Sequence, residues 1–280
     1  MTTNGKPLPP PLPPKRNGNG SPAVQADPNR FAVTTGVSSG AHRVILFGPG
    51  GAGKTTLAAL APNPIILDIE DGSRYLNVPR ISGLRNYQDV RDCLHSPVLD
   101  SFGTIIIDSA TKFEDMAVEN VLETVPKEDG YTAKNIEDYG WGKGFSHIYD
   151  KSLLLLQDLD AHVRAGRHVI IIAHICTEMV PNPAGEDFGR YEPRIQSPKS
   201  GKSSVRNRMW EWADHVVFLT FDVATKKGKA QGGDSRTIYT RPAASHIAKS
   251  RTVSVVMPFV DATDGTLWPT LFNVNNGGNE

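Results

Sequence analysis

Runs of apolar residues alternate with segments of helical periodicity along most of the chain. Five nearly continuous apolar runs predict buried strands, at residues 43–47, 64–70, 104–109, 168–174 and 215–221. Apolar residues spaced by three and four predict helices at about 54–60, at 110–124 and at 142–166. Two later runs, 236–240 and 252–259, predict exposed or antiparallel strands. The alternation predicts an α/β fold with a mostly parallel central sheet and helices on both faces.

The two ends of the chain depart from this pattern. Residues 1–32 are rich in Pro, Gly, Asn and basic residues and carry almost no large apolar side chain, so we expect a disordered tail there. The run PLPPPLPP within it favours polyproline II, which partner domains recognise. The polar residues 273–280 predict a flexible C-terminal tail, which leaves 33–272 as one domain.

Composition and charge narrow the class of protein. Thirty Lys and Arg balance thirty Asp and Glu, so any contact with nucleic acid has to come from a local patch. The two cysteines, Cys93 and Cys176, lack metal-ligand spacing and favour a reducing compartment. The apolar runs are too short to span a bilayer, and the N-terminus lacks the apolar core of a signal peptide. We therefore expect a cytoplasmic protein without a membrane partner.

The run GPGGAGKTT directly follows the first predicted strand. It matches the pattern G-x-x-x-x-G-K-T, in which glycines let backbone N–H groups turn toward phosphate oxygens. The predicted phosphate loop consists of Gly48, Pro49, Gly50, Gly51, Ala52, Gly53, Lys54, Thr55 and Thr56. Lys54 is expected to reach the β- and γ-phosphates, and the Thr55 hydroxyl is expected to ligate Mg²⁺. In its strand–loop–helix context the pattern predicts a nucleotide site.

Polar residues at the ends of neighbouring strands extend this chemistry. Asp108 ends the run TIIID and is predicted to hold Mg²⁺ through water. Ser109 follows it, where many ATPases place a glutamate. Glu70, in LDIEDG, is therefore the predicted general base, and the alternative is a solvent-exposed loop acid. His174 ends HVIIIAH and is predicted either to sense the γ-phosphate or to act as a structural hydrogen bonder.

Together these landmarks resemble the RecA-like P-loop NTPase core of phage nucleotide-binding ATPases, including the Sak-type single-strand annealing recombinases. They are the phosphate loop, the strands ending D-x-E, IIIDS and IIIAH, and YGWGKGF before a long amphipathic helix. The resemblance covers about residues 42–259. It implies an ATP hydrolase that uses Mg²⁺ and forms a ring or filament in the host cytoplasm. It also implies that Glu70 activates water and that His174 senses the γ-phosphate. In RecA itself the residue at the position matching His174 is often Gln.

The resemblance also gives two further segments a role. About forty residues without a clear strand lie between His174 and His215, and the matching segment of RecA-like proteins is a loop that binds single-stranded DNA. The predicted DNA-binding residues are its basic side chains, Arg190, Arg194, Lys199, Lys202, Arg206 and Arg208. Tyr191 is expected to stack on a base. Lys249 and Arg251 are expected to reach the γ-phosphate of a neighbouring subunit, with Arg251 as an arginine finger.

The expected function is a DNA-dependent ATP hydrolase that binds single-stranded DNA in phage-type homologous recombination or single-strand annealing. A single-strand-binding protein is a further expected partner. A Pro-rich tail takes the place of the N-terminal DNA-binding domain of full-length recombinases, which favours annealing over strand exchange. Two other classes stay open: a protein-directed ATPase, such as a helicase loader or a packaging-associated motor, and a monomeric small-molecule kinase.

Overall fold

The computed structural model describes residues 33, 35, 40–199, 202–226 and 229–272, with the backbone alone at 224–226 and 229–232. Both predicted tails, 1–32 and 273–280, lie outside these residues, and the predicted domain bounds stay a prediction. Among the described residues, no helix combines the length and the apolar character needed to cross a membrane.

Strands and helices alternate through most of the described chain. The strands are β1 (Arg43–Phe47), β2 (Pro64–Asp68), β3 (Arg80–Ile81), β4 (Thr104–Asp108), β5 (His168–Ala173), β6 (Ile175–Val180), β7 (Phe188–Pro193), β8 (His215–Lys226), β9 (Lys229–Tyr239), β10 (Lys249–Ser250) and β11 (Val256–Pro258). The α-helices are α1 (Lys54–Ala59), α2 (Tyr87–Leu94), α3 (Ala110–Thr124), α4 (Lys143–Arg164), α5 (Val205–Trp212) and α6 (Leu267–Phe272).

A mostly parallel sheet forms the centre of the described chain. Strands β3, β2, β4, β5, β1 and β8 lie side by side in that order, and each neighbouring pair is parallel. Strand β9 continues the sheet antiparallel to β8, β11 pairs antiparallel with β9, and β10 pairs antiparallel with β8. The predicted α/β fold, with antiparallel strands late in the chain, is confirmed.

Alternation of side chains along the strands gives the sheet two buried faces. Ile45 and Phe47 point to one face, which α2, α3, α4 and α5 cover. Val44 and Leu46 point to the other face, which α1 and α6 cover. Because both faces are buried, most residues of a central strand are apolar, and this explains why the sequence shows continuous runs rather than alternation.

The prediction that the chain has no strand between His174 and His215 is wrong. Strands β6 and β7 form a separate two-stranded antiparallel sheet, and α5 follows them. This hairpin has no continuous buried apolar run, because partly buried and exposed residues alternate along most of it. Helix α5 does bury Val205, Met209 and Trp212, which recur at helical spacing.

Candidate nucleotide site

The phosphate loop joins β1 to α1 at the carboxyl edge of the parallel strands. Gly53 has φ +95°, in the left-handed region that favours glycine. At Gly48 the loop passes so close to β8 that a Cβ would overlap the Leu219 carbonyl oxygen. The two glycines are therefore needed for different reasons, one for its backbone angle and one for a close approach.

The ammonium group of Lys54 lies inside the loop. Its Nζ donates hydrogen bonds to the carbonyl oxygens of Gly48 at 3.0 Å and Pro49 at 2.9 Å. Burial lowers the pKa of Lys54, and the nearby carboxylates of Asp108 and Glu70 oppose that shift. The ammonium is held by neutral carbonyls, so an anionic phosphate in the loop offers it a stronger partner.

Thr55 and Asp108 lie in direct contact at the start of α1. The Thr55 hydroxyl donates to Oδ2 of Asp108 at 2.6 Å. Burial raises the pKa of Asp108 to about 6, with a smaller contribution from the negative charges of Glu70 and Asp68. A buried carboxylate beside a hydroxyl is a donor set that suits Mg²⁺ completed by water and phosphate oxygens. The predicted metal ligands therefore lie together, and their chemistry fits the ion.

Glu70 lies just beyond the end of β2, beside the end of β4. The backbone N–H groups of Ile69 and Glu70 both donate to the Asp108 carbonyl oxygen, at 2.9 and 3.3 Å. This turn carries the Glu70 carboxylate over the carboxyl edge of the sheet. There it accepts a hydrogen bond from Ser109 Oγ and lies 3.1 Å from His174 Nε2. The structure thus brings Glu70, Asp108 and His174 together from three adjacent strands.

The neighbouring carboxylates of the same loop are placed differently. Asp68 is buried and accepts hydrogen bonds from the backbone N–H groups of Gly72 and Ser73 and from the Ser73 hydroxyl. It therefore holds the loop after β2. Asp71 is exposed, with φ +55°. Of the three acids in LDIEDG, Glu70 is the one whose side chain contacts the polar side chains that directly follow β4 and β5, Ser109 and His174.

Ser109 has a role that the sequence reasoning missed. Its hydroxyl donates to Glu70 and lies 3.3 Å from the Lys112 N–H, which it caps at the start of α3. The sequence shows only that serine replaces the glutamate found there in many ATPases. A serine at the junction of a strand and a helix is a usual N-cap, and that signal was available. Its contact with Glu70 was not.

His174 connects the phosphate site to the segment after β7. Its backbone N–H donates to the Thr111 hydroxyl at 3.1 Å, and its carbonyl oxygen accepts from the Arg194 N–H at 2.9 Å. The Thr111 hydroxyl in turn donates to the Arg194 carbonyl oxygen at 3.2 Å. The backbone at Arg194 is therefore tied to the residue that contacts Glu70.

The basic residues predicted to bind DNA fall into two groups. Arg194, Lys199, Lys202 and Arg208 are exposed. Arg206 is only 7% exposed, and its guanidinium contacts Glu192 at 2.9 Å and Glu178 at 3.0 Å. Arg190 also pairs with Glu192, at 2.9 Å. The predicted role of Arg206 is corrected, because its charge is already neutralised inside the protein. Tyr191 is 43% exposed.

Lys249 and Arg251 lie at the other end of β8. Strand β10 pairs with the first two residues of β8, at the amino edge of the sheet. Lys249 Nζ donates to the carbonyl oxygens of Trp210 at 2.8 Å and Ala213 at 2.6 Å, which caps the end of α5. Arg251 has a 58% exposed side chain, 3.5 Å from Asp214. Neither residue lies near the phosphate loop of its own chain.

Comparison with known proteins places this site in a family. A family model described as an AAA domain matches residues 41–252, a span that contains every residue of the phosphate site. Among solved structures, a KaiC-like protein of the hyperthermophilic archaeon Pyrococcus horikoshii OT3 matches with 14% identity and a TM-score of 0.43, over 80% of this chain and 88% of that chain. No curated protein matches the sequence significantly. The chain therefore belongs to the AAA-domain family and has a P-loop ATPase core.

Proposed function

We propose that this protein is a Mg²⁺-dependent ATP hydrolase that binds single-stranded DNA. We propose that it acts in phage-type homologous recombination or single-strand annealing, as the Sak-type annealing proteins do. The observation that carries the proposal is the hydrogen-bonded path from Glu70 through His174 to the backbone of Arg194. This path joins the γ-phosphate side of the nucleotide site to an exposed basic segment. A nucleotide can control contact with an anionic polymer through such a connection.

In the proposed hydrolysis, Lys54 neutralises the β- and γ-phosphates. Asp108 and Thr55 would hold Mg²⁺, and the bound ion would neutralise charge on the phosphate oxygens. Glu70 orients the attacking water and accepts its proton. Ser109 fixes the Glu70 carboxylate in place by a direct hydrogen bond, and His174 also contacts this carboxylate before the nucleotide binds. These contacts hold the base in position before the substrate arrives, which reduces the reorganisation needed at the transition state.

The γ-phosphate also competes with Glu70 for His174. His174 Nε2 lies 3.1 and 3.2 Å from the two Glu70 oxygens, so a terminal phosphate at this edge is a second acceptor for the same N–H. The backbone carbonyl of His174 accepts a hydrogen bond from the Arg194 N–H, so a shift of the whole residue toward the phosphate would be transmitted to Arg194. Binding and loss of the γ-phosphate thereby shift the position of the segment that follows.

The proposed DNA contacts come from the segment 194–208 without its buried arginine. Arg194, Lys199, Lys202 and Arg208 are exposed cations on this stretch. Contacts of this kind bind the phosphate backbone without reading sequence, and they weaken as salt rises. Tyr191, on the neighbouring strand β7, is a candidate for stacking on a base.

Fluorescence anisotropy of a labelled oligo-dT strand tests the DNA part of the proposal. We expect Lys199→Glu to weaken binding in the presence of a non-hydrolysable ATP analogue. Arg164→Glu is the matched control, since this exposed arginine ends α4 at the amino edge of the sheet. Equal binding by wild type and Lys199→Glu would overturn the assignment of this segment.

A protein-directed ATPase is a second candidate, and Trp141 favours it. This side chain is 100% exposed and has φ +49° between two glycines that also have positive φ. Tryptophan is enriched among the residues that dominate protein interfaces. The ion pairs Lys143–Glu128 and Lys127–Asp129 leave this region with no excess of cations to attract DNA. In this case ATP hydrolysis would respond to a protein partner and would be unchanged by Lys199→Glu.

A further inference from the structure

Arg236, on β9, lies directly against the phosphate loop. Its Nη1 donates to the Ala52 carbonyl oxygen at 3.3 Å. Its guanidinium carbon lies 4.4 Å from the centroid of the Phe259 ring. A Cβ at Gly53 would lie 2.8 Å from Nη1 of Arg236 and 2.9 Å from Cε1 of Phe259. The glycine therefore makes room for a pair of side chains that the sequence motif does not include.

Phe259 holds the guanidinium in one orientation. Its side chain is 1% exposed and packs in the core that covers α1. Its backbone N–H donates to the Arg236 carbonyl oxygen at 2.8 Å, so the two residues stay in register where the chain leaves β11. Stacking on a buried ring fixes the orientation of the planar guanidinium, which a solvent-exposed arginine side chain does not have.

The strand order indicates which part of a nucleotide reaches this pair. The polar groups on the γ-phosphate side, Asp108, Glu70 and His174, come from the ends of β4, β2 and β5, which all lie on one side of β1. The nucleoside end of the nucleotide then extends toward the other side of β1. Strands β8 and β9 lie on that side, and Arg236 is on β9.

We propose that Arg236, backed by Phe259, forms the platform on which the base of the bound nucleotide stacks. The assignment rests on nucleotide binding by the phosphate loop and is independent of the DNA part of the proposed function. The guanidinium offers a flat, weakly hydrated face, and its other face is covered by Phe259. No carboxylate among the described residues forms an ion pair with Arg236, so its charge is available to the π-electrons of a base.

Calorimetric titration of two ligands separates base stacking from support of the phosphate loop. The probes are a non-hydrolysable ATP analogue and inorganic tripolyphosphate, each with Mg²⁺. The variant is Arg236→Gln, which keeps an N–H donor for the Ala52 carbonyl. Arg241→Gln is the matched control, because Arg241 is exposed and lies beyond the end of β9. Thermal melting of both variants shows whether they fold as the wild type does.

We expect Arg236→Gln to bind the ATP analogue about tenfold more weakly and to bind tripolyphosphate as the wild type does. Equal weakening of both ligands would overturn the proposal, because Arg236 would then only support the loop. Unchanged binding of the analogue would overturn it as well. Tripolyphosphate binding by the wild type tests whether the phosphate loop binds phosphates at all. A wild type that binds neither ligand would contradict nucleotide binding by the loop, whereas the Arg236→Gln variant tests only the stacking of the base.

Discussion

Glu70 accepts a hydrogen bond from Ser109 and lies against His174. Of its neighbours, Asp68 is buried in contacts with its own loop, and Asp71 is exposed. At the scale of single residues, this placement separates a candidate base from acids of the same type. A general base needs both reach and a fixed orientation. Glu70 has both, because three strand ends converge on it.

Glu70→Gln is expected to bind ATP normally and to lose about a hundredfold or more of its turnover, because the amide cannot accept a proton. Steady-state ATP hydrolysis and equilibrium nucleotide binding measure the two effects separately. Asp71→Asn is the control, since it removes a carboxylate one residue away. Normal hydrolysis by Glu70→Gln would show that the base lies elsewhere.

Glu114, on α3, accepts a hydrogen bond through Oε1 from the backbone N–H of Gln196, with an N···O distance of 2.7 Å. Burial raises the pKa of the Glu114 carboxyl to about 7. Because the folded-state pKa lies above the unfolded value, this group favours folding at low pH. That contribution is lost as pH rises through about 7. We expect Glu114→Gln to raise the free energy of unfolding by about 1–3 kcal/mol at about pH 8, with little effect at about pH 4.5. Denaturant unfolding at the two pH values measures this, and a gain of equal size at both would contradict it.

At the scale of elements, a buried ion pair joins α5 to the β6–β7 hairpin. Arg206 is on α5, Glu178 is on β6 and Glu192 is on β7. Glu192 is 9% exposed, so both partners of its contact with Arg206 are withdrawn from water. Removal of one partner from such a pair leaves a charge buried without compensation.

Arg206→Ala is therefore expected to lower the free energy of unfolding by about 3–5 kcal/mol. Arg208→Ala is the matched control on the same helix. Its ion pair with Glu211, at 3.6 Å, is exposed, and its loss is expected to cost less than about 1 kcal/mol. Urea unfolding compares the two variants. Similar effects of both would contradict the structural role given to Arg206.

At this scale the sequence predicts well the strands that a local run of apolar residues marks. The five continuous apolar runs became β1, β2, β4, β5 and β8, because strands buried on both faces leave few polar positions. The hairpin after His174 has no such run, since it lies outside the main sheet. The buried state of Arg206 depends on Glu178 and Glu192, which lie far from it in sequence. From the pattern of basic residues alone, Arg206 was predicted to be an exposed cation that binds DNA.

The site was predictable to a similar degree. The phosphate loop and Asp108 follow from motif and strand-end position, and Thr55 does contact Asp108. Ser109 and Arg236 were missed because their contacts, with Glu70 and Ala52, join residues about 39 and 184 positions apart. Contacts of this range depend on strand order, which periodicity does not determine.

At the scale of the whole molecule, Arg251 lies at the amino edge of the sheet and the phosphate loop at the carboxyl edge. An arginine finger at this position has to act on another subunit. We expect the variants Arg251→Ala and Glu70→Gln each to be inactive alone. We expect an equal mixture of the two to regain about a quarter of wild-type turnover, because some of its interfaces pair an intact Glu70 with an intact Arg251. ATP hydrolysis as a function of mixing ratio measures this. No recovery in a mixture that still assembles would rule out a shared site.

Steady-state ATP hydrolysis with and without single-stranded DNA, at low and high salt, tests most directly whether the nucleotide site is coupled to the basic segment. We expect DNA to stimulate hydrolysis and rising salt to remove the stimulation. We expect Lys199→Glu combined with Lys202→Glu to remove the stimulation without changing the basal rate. A rate of hydrolysis that DNA leaves unchanged at every salt concentration would show that the nucleotide site is not coupled to a DNA site on this segment.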